Sequence, residues 1–167
     1  VLVRVNLAGA EVYGAELSAS ARLTEGLDAS LGVAVLRTKI TDVNTPSQSL
    51  RNRILGNDLP DAPELSLNAS LRYERPMGQM TLVAQVDAAY KSEMFKEEEN
   101  LVAVPDYTLV NGRLGLNSPD GGWGLAVFAR NLTDAEYFTS YQPQGRAVRQ
   151  RLVATPRTVG VELSFRY

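Results

Sequence analysis

The sequence predicts an all-β chain, an antiparallel meander of about eight strands. Three observations predict it. Apolar and polar residues alternate with a period of two over most of the chain, which is the period of a strand. Turn residues separate the alternating runs, so that sequential strands pair antiparallel. No segment carries an i, i+3, i+4 apolar stripe long enough for a core helix.

The runs follow in order. "VLVRVNL" (1–7) is a short apolar strand at the start. "AELSASARL" (15–23) places Ala15, Leu17, Ala19, Ala21 and Leu23 on one face and Glu16, Ser18, Ser20 and Arg22 on the other. "TEG" turns the chain into "LDASLGVAV" (27–35), with Leu27, Leu31, Val33 and Val35 set against Asp28, Ser30 and Gly32. A polar connection is expected over 38–61. "ELSLNASLRYE" (64–74) sets Leu65, Leu67, Leu71 and Tyr73 against Ser66, Asn68, Ser70 and Arg72. "RPMG" turns into "MTLVAQVDAAY" (80–90), with Leu82, Val86 and Tyr90 against Gln85 and Asp87. A charged connection covers 91–105. "YTLVNGRLGL" (107–116) sets Val110, Leu114 and Leu116 against Asn111 and Arg113, and "NSPDGG" turns into "WGLAVFAR" (123–130). A polar connection over 131–155 follows, in which "LTDAEYF" (132–138) has the composition for one helical turn. The chain closes on "TVGVELSFRY" (158–167), where Pro156 sits at the opening of the strand and its missing N–H costs least.

The connections alternate in length: "TEG", "RPMG" and "NSPDGG" are short, and the other three are long and polar. One end of the meander therefore has tight turns and the other has large loops, which is the asymmetry of a transmembrane β-barrel. A soluble sandwich or barrel alternates in the same way, with its greasy face buried. Two features favour the membrane. The polar face carries mainly Ser, Gly, Asn, Gln and Thr with scattered charge. Aromatics (Tyr73, Tyr90, Trp123, Phe165, Tyr167) stand near strand ends, as interfacial girdles do. Runs of about 9–11 residues fit a tilted crossing. The apolar face then meets lipid and the polar face a watery lumen.

Composition excludes several chemistries. The 17 Lys+Arg balance 19 Asp+Glu, without the basic stripe of a nucleic-acid binder. Cys and His are both absent, which removes disulfides, thiolate metal sites, the commonest general base and the commonest zinc ligand. The chain is expected to hold no cofactor, no metal and no catalytic residues, and not to be an enzyme. No apolar run approaches the roughly 18 residues of a membrane helix.

Four segments, "LPDAPELSLNASLRYE" (59–74), "VPDYTLVNGRLGL" (104–116), "WGLAVFARNLTDAEYF" (123–138) and "PRTVGVELSFRY" (156–167), together resemble the C-terminal barrel region of TonB-dependent outer-membrane receptors. "VYGAELSASARLTEGLDASLGVA" (12–34) is similar to the same family. The resemblance implies a barrel of 22 strands in the whole receptor, a plug domain, and a cell outer membrane location in a Gram-negative bacterium. It also implies uptake of a scarce nutrient such as siderophore-bound iron, cobalamin or carbohydrate. The implied partners are outer-membrane lipid, the TonB energy-coupling system acting through an N-terminal region, the barrel-assembly machinery and an unidentified small-molecule substrate; nucleic acid is not among them. Residues 1–167 read as one partial barrel domain, the C-terminal piece of a longer receptor. The competing reading is a complete eight-stranded outer-membrane barrel with a structural or adhesion role; a soluble ligand-binding barrel is a third.

Candidate site residues fall into three groups. Arg72, Asp87, Arg113, Arg130, Glu162 and Arg166 lie on the inferred lumen face, with Asp28, and are expected to pair with one another or with the plug, or to touch substrate. The resemblance implies that the terminal aromatics Phe165 and Tyr167 are an assembly signal; a plain interfacial anchor is the simpler role. In the long connections, "KEEEN" (96–100) offers three Glu to a cation or a substrate entrance, and "QGRAVRQR" (144–151) offers three Arg to an anion. A plain solvated loop is the favoured reading of both. "NLT" (131–133) is read as a loop start in which Asn, Thr and Asp cap a turn.

Overall fold

In the computed structural model, which describes residues 6–144 and 148–166, the chain forms one antiparallel sheet of seven strands with three elaborated connections. β1 (Asn6–Thr24) and β2 (Leu27–Asn44) are joined by a tight turn, and α1 (Gln48–Ile54) follows in the first long connection. β3 (Leu65–Met77) and β4 (Met80–Lys91) form the next hairpin. The second long connection carries the small hairpin β5 (Met94–Phe95) and β6 (Ala103–Val104). β7 (Tyr107–Asn117) and β8 (Trp123–Arg130) follow. The third long connection carries β9 (Phe138–Gln144) and β10 (Val148–Val153), and β11 (Thr158–Phe165) closes the chain. The main sheet runs β1-β2-β3-β4-β7-β8-β11, so that its strands are nearest neighbours in chain order once the two loop hairpins are set aside. The meander is as predicted. The separate first strand is not: residues 1–5 lie outside the described residues, and Asn6 and Leu7 already belong to β1.

The register puts like with like. Leu71, Val86, Gly112, Ala129 and Val159 stand in one row across five strands, and Tyr73, Ala84, Leu114, Val127 and Val161 in the next. On the opposite face, Asp28, Arg72, Gln85, Arg113, Phe128 and Gly160 form a row. The apolar face is bare: Leu17 is 68% exposed, Val159 72% and Phe165 75%.

β1 and β2 are longer than predicted. At about 3.3 Å per residue they reach about 60 Å, well past a bilayer crossing. The sequence reading ends the second strand at Val35, yet the structure continues the pairing to Asn6–Asn44. Register shifts around Gly9 change the phase of the ladder there, and a bulge of this kind bends and twists the strand. Ile40 and Val43, three residues apart, are both fully buried, packed on Ile54 of α1. That helix starts at Ser47, whose side chain accepts the Leu50 N–H at 3.4 Å, as N-cap serines do. Arg51 fastens it to β2 through Asp42 Oδ1 at 2.6 Å and the Val43 carbonyl at 3.0 Å.

The short turns are built on glycine. Gly26 has φ +76, and a Cβ there would lie 2.0 Å from the Glu74 carbonyl oxygen. That closeness lets the Glu74 N–H donate to the Gly26 carbonyl at 2.7 Å. Pro76 lies within β3 opposite Thr81, beyond the start of β2, so its missing donor interrupts no ladder.

Candidate functional site

The polar face of β4, β7, β8 and β11 encloses a recess of about 290 Å³. Four of the six polar-face residues singled out in the sequence meet there: Asp87, Arg113, Arg130 and Glu162. Arg113 on β7 reaches over β8 to Glu162 on β11, with Nη2 to Oε1 at 2.8 Å. Small residues make the crossing possible. Gly115 and Ala126 stand in the same row as Glu162, next to the row of Arg113, and a Cβ on Gly115 would lie 3.2 Å from Arg113 Nη1. Asp87 accepts from Gln85 Nε2 at 3.0 and 3.1 Å. The Phe128 ring covers Gly160, and the Arg130 guanidinium stands 5.5 Å from the centre of that ring, at cation–π range.

The other two residues lie outside the recess. Arg72 pairs along its own strand with Glu74 at 2.8 Å, and Arg22 and Asp28 pair at 3.1 Å in the same row. Arg166 sits beyond β11 at the short-turn end, where its backbone N–H donates to the Gly122 carbonyl at 2.8 Å. Most of these ion pairs are half-exposed, a setting in which each contributes about 0–1 kcal/mol. Their larger effect is to leave the polar face locally neutral. Phe165 lies opposite Trp123 at the short-turn end of the apolar face; Tyr167 lies outside the described residues.

The long connections form a second tier. Glu97, the first acid of "KEEEN", turns back into its own loop. Its carboxylate accepts from the backbone N–H groups of Glu99 (2.9 Å), Val102 (3.0 Å) and Leu101. Glu99 pairs with Arg53 at 3.0 Å, and the Glu98 carbonyl accepts from Asn57 Nδ2 at 2.8 Å. The carboxylates of Glu97 and Glu99 are thus engaged in loop structure, and the described residues contain no group of three acids arranged to hold a metal. Of "QGRAVRQR", residues 145–147 lie outside the described residues; Arg151 stacks 4.7 Å from the centre of the Phe138 ring.

"NLT" forms a turn, as read, but the helical turn expected over 132–138 is absent. Asn131 and Asp134 instead take left-handed φ of 51 and 54, which Asn and Asp tolerate better than most residues. Asn131 is buried, and its amide bridges the Ala135 N–H (2.9 Å) and carbonyl (3.0 Å) and reaches the Thr155 carbonyl at 3.4 Å. Asp134 accepts the Arg157 N–H at 3.0 Å. Two contacts had no sequence signal: the stacked Tyr107–Tyr137 pair, with ring centres 4.2 Å apart, and the bond from Lys96 to Asp61.

A family model described as TonB dependent receptor-like, beta-barrel, matches residues 2–132. Among solved structures, the chain is similar to FyuA, the ferric yersiniabactin uptake receptor of Yersinia pestis. The TM-score is 0.82 at 21% identity, over 92% of this chain and 23% of that one. It is similar to PiuA, a siderophore receptor of Acinetobacter baumannii, with a TM-score of 0.72 at 23% identity, over 92% of this chain and 21% of that one. The ferric-catecholate import receptor Fiu from E. coli K12 gives a TM-score of 0.66 at 18% identity, over 92% of this chain and 20% of that one. The chain therefore spans between a fifth and a quarter of the length of these receptors. At such identities the likeness is one of fold.

Proposed function

This chain belongs to the TonB-dependent receptor β-barrel family, a family of outer-membrane receptors and transporters of Gram-negative bacteria rather than of enzymes, and from that premise we propose that it is the C-terminal barrel wall of a receptor that takes up a scarce nutrient. A small iron complex is the favoured substrate class. Its support is the company the fold keeps: the similar structures named above are a ferric yersiniabactin uptake receptor, a siderophore receptor and a ferric-catecholate import receptor. Residues 1–167 then form one partial barrel domain. The plug, the remaining strands and the segment that engages TonB belong to the rest of the receptor. Phe165 and Tyr167 are read by the barrel-assembly machinery.

One observation carries the reading: a continuous sheet whose apolar face is bare from Leu17 to Phe165 while the ion pairs Arg22–Asp28, Arg72–Glu74 and Arg113–Glu162 form on the other face. In water such a face is an aggregation surface. In a bilayer it is the correct exterior, because lipid takes the place of a protein core. Arg72, Asp87, Arg113, Arg130, Glu162 and Arg166 then face the lumen. The eight-stranded closed barrel has less support, since β1 and β11 are the two edges of the sheet and do not pair among the described residues.

Spin labels at Leu163 and Glu162 in the full-length receptor, reconstituted in bilayers, test the assignment. Leu163 is expected to be accessible to oxygen and shielded from a water-soluble nickel reagent, and Glu162 the reverse. A Leu163 label shielded from both would mean a packed protein core and would sink the membrane reading.

A further inference from the structure

Three long connections leave the same end of the sheet, and one side chain touches all of them. Lys96, on the second connection, is only 11% exposed along its side chain. Its ammonium donates to the Asp61 carboxylate on the first connection and to the Thr139 carbonyl on the third, the latter at 3.2 Å. The backbone supports the same junction. The Asp61 N–H donates to the Phe95 carbonyl at 2.8 Å, and the Lys96 N–H donates to the Val102 carbonyl at 2.9 Å. Beneath it, Phe138 of the third connection packs into a buried cluster with Met94, Val102 and Val104 of the second.

We propose that Lys96 is a latch that makes the three long connections a single body, so that this side of the receptor mouth is assembled before substrate arrives and none of these loops closes alone. The physical reason is that the Lys96 side chain is largely covered, although its Asp61 partner is exposed. An ammonium held away from most of the water is poorly placed without its anion and acceptors. If either neighbouring connection swings away, Lys96 loses a partner while the other two loops still cover it. The arrangement therefore favours all three moving together or none moving. What this means for substrate capture rests on the uptake reading above; the mechanical coupling does not.

The coupling is read by distance measurement between electron spin labels on the full-length receptor in bilayers, with no substrate added. One pair, Asn52 with Leu101, spans the first and second connections; the other, Leu101 with Leu152, spans the second and third. All three positions are exposed. Each pair is expected to give one narrow distance in the otherwise native protein. Lys96→Met is expected to broaden both distributions at least twofold, and Lys96→Arg, which keeps a donor and a charge, to restore most of the narrowness. Broad or multiple distances in the native background would overturn the latch, and that measurement stands even if Lys96→Met fails to fold. A Lys96→Met receptor as narrow as the native one in either pair would also overturn it. Neither result would touch the uptake reading, since no substrate is present.

Discussion

Replacing Asn131 with alanine should release the third connection from the sheet. Two things are lost. The first is the amide's pair of short bonds to the Ala135 N–H and carbonyl, at 2.9 and 3.0 Å. At about 1 kcal/mol net each they amount to about 2 kcal/mol; the 3.4 Å contacts to Thr155 and Thr133 are too long to add. The second is conformational. Asn131 holds a φ of 51, and alanine in the left-handed region costs about 1 kcal/mol more. The total is about 3 kcal/mol, which is about a hundredfold in a local opening constant. Asn131→Gly removes the bonds but not the backbone freedom, so it should cost about 2 kcal/mol, or roughly thirtyfold. Amide hydrogen exchange over residues 131–157 of the full-length receptor reads both. The expected order is native slowest, then glycine, then alanine. If both variants exchange within threefold of native, the side chain of Asn131 does not hold this loop and the reasoning is wrong.

The short turns give two further tests. Gly26 and Gly78 both have positive φ, but only Gly26 is crowded; nothing lies within 4 Å of a Cβ at Gly78. Gly78→Ala should cost about 1 kcal/mol of backbone strain, and Gly26→Ala distinctly more, because the methyl meets the Glu74 carbonyl oxygen. Urea unfolding of the two variants in detergent separates them, and equal midpoints would refute the role given to the close approach. Asp120 accepts from Ser118 Oγ at 2.6 Å and from the Gly122 N–H at 3.0 Å, which hold its carboxyl below the ordinary value, the Ser118 bond most of all. A depressed carboxylate stabilises its turn fully above the unfolded value of about 3.9, and that stabilisation goes as pH falls through the folded value below it. The Gly122 amide resonance should therefore titrate with a midpoint under 3.9 and lose the transition in Asp120→Asn; a midpoint at or above 3.9 would contradict the structure.

The sheet was legible in the sequence wherever alternation was clean. β3, β4, β7 and β8 lie where the period-two runs place them, because one face of each must be apolar and a one-residue slip would invert it. The upper halves of β1 and β2 were not legible. Around Gly9 the register shifts, and around Ile40 and Val43 the buried residues are three apart, so the period breaks where the strand continues. The recess was half legible. Period two puts Asp87, Arg113, Arg130 and Glu162 on one face, but only the register brings Arg113 to Glu162 across 49 residues of chain. The knot at Asn131 had a local signal in the adjoining Asn, Thr and Asp, which tolerate left-handed backbone and cap turns. The bond from Lys96 to Asp61 had none, since it depends on how two loops 35 residues apart pack.

The location of the buried side chains says what holds such a chain together. Among the described residues, seven of the nine buried hydrophobics belong to two clusters at the long-connection end: Ile40, Val43 and Ile54 in one, Met94, Val102, Val104 and Phe138 in the other. Only Val83 and Ala126 are buried elsewhere, and they share one row of the polar face with Gly115 between them. The membrane-spanning part of the sheet thus has almost no core of its own. Its backbone ladder does the work a core does elsewhere, because an unpaired N–H or carbonyl in hydrocarbon costs several kcal/mol. The loop tier above has to fold by ordinary burial in water. The two parts answer to different solvents, so substitutions on the sheet's apolar face should be tolerated as long as they stay greasy, whereas shape-changing substitutions at Val104 or Ile54 should not.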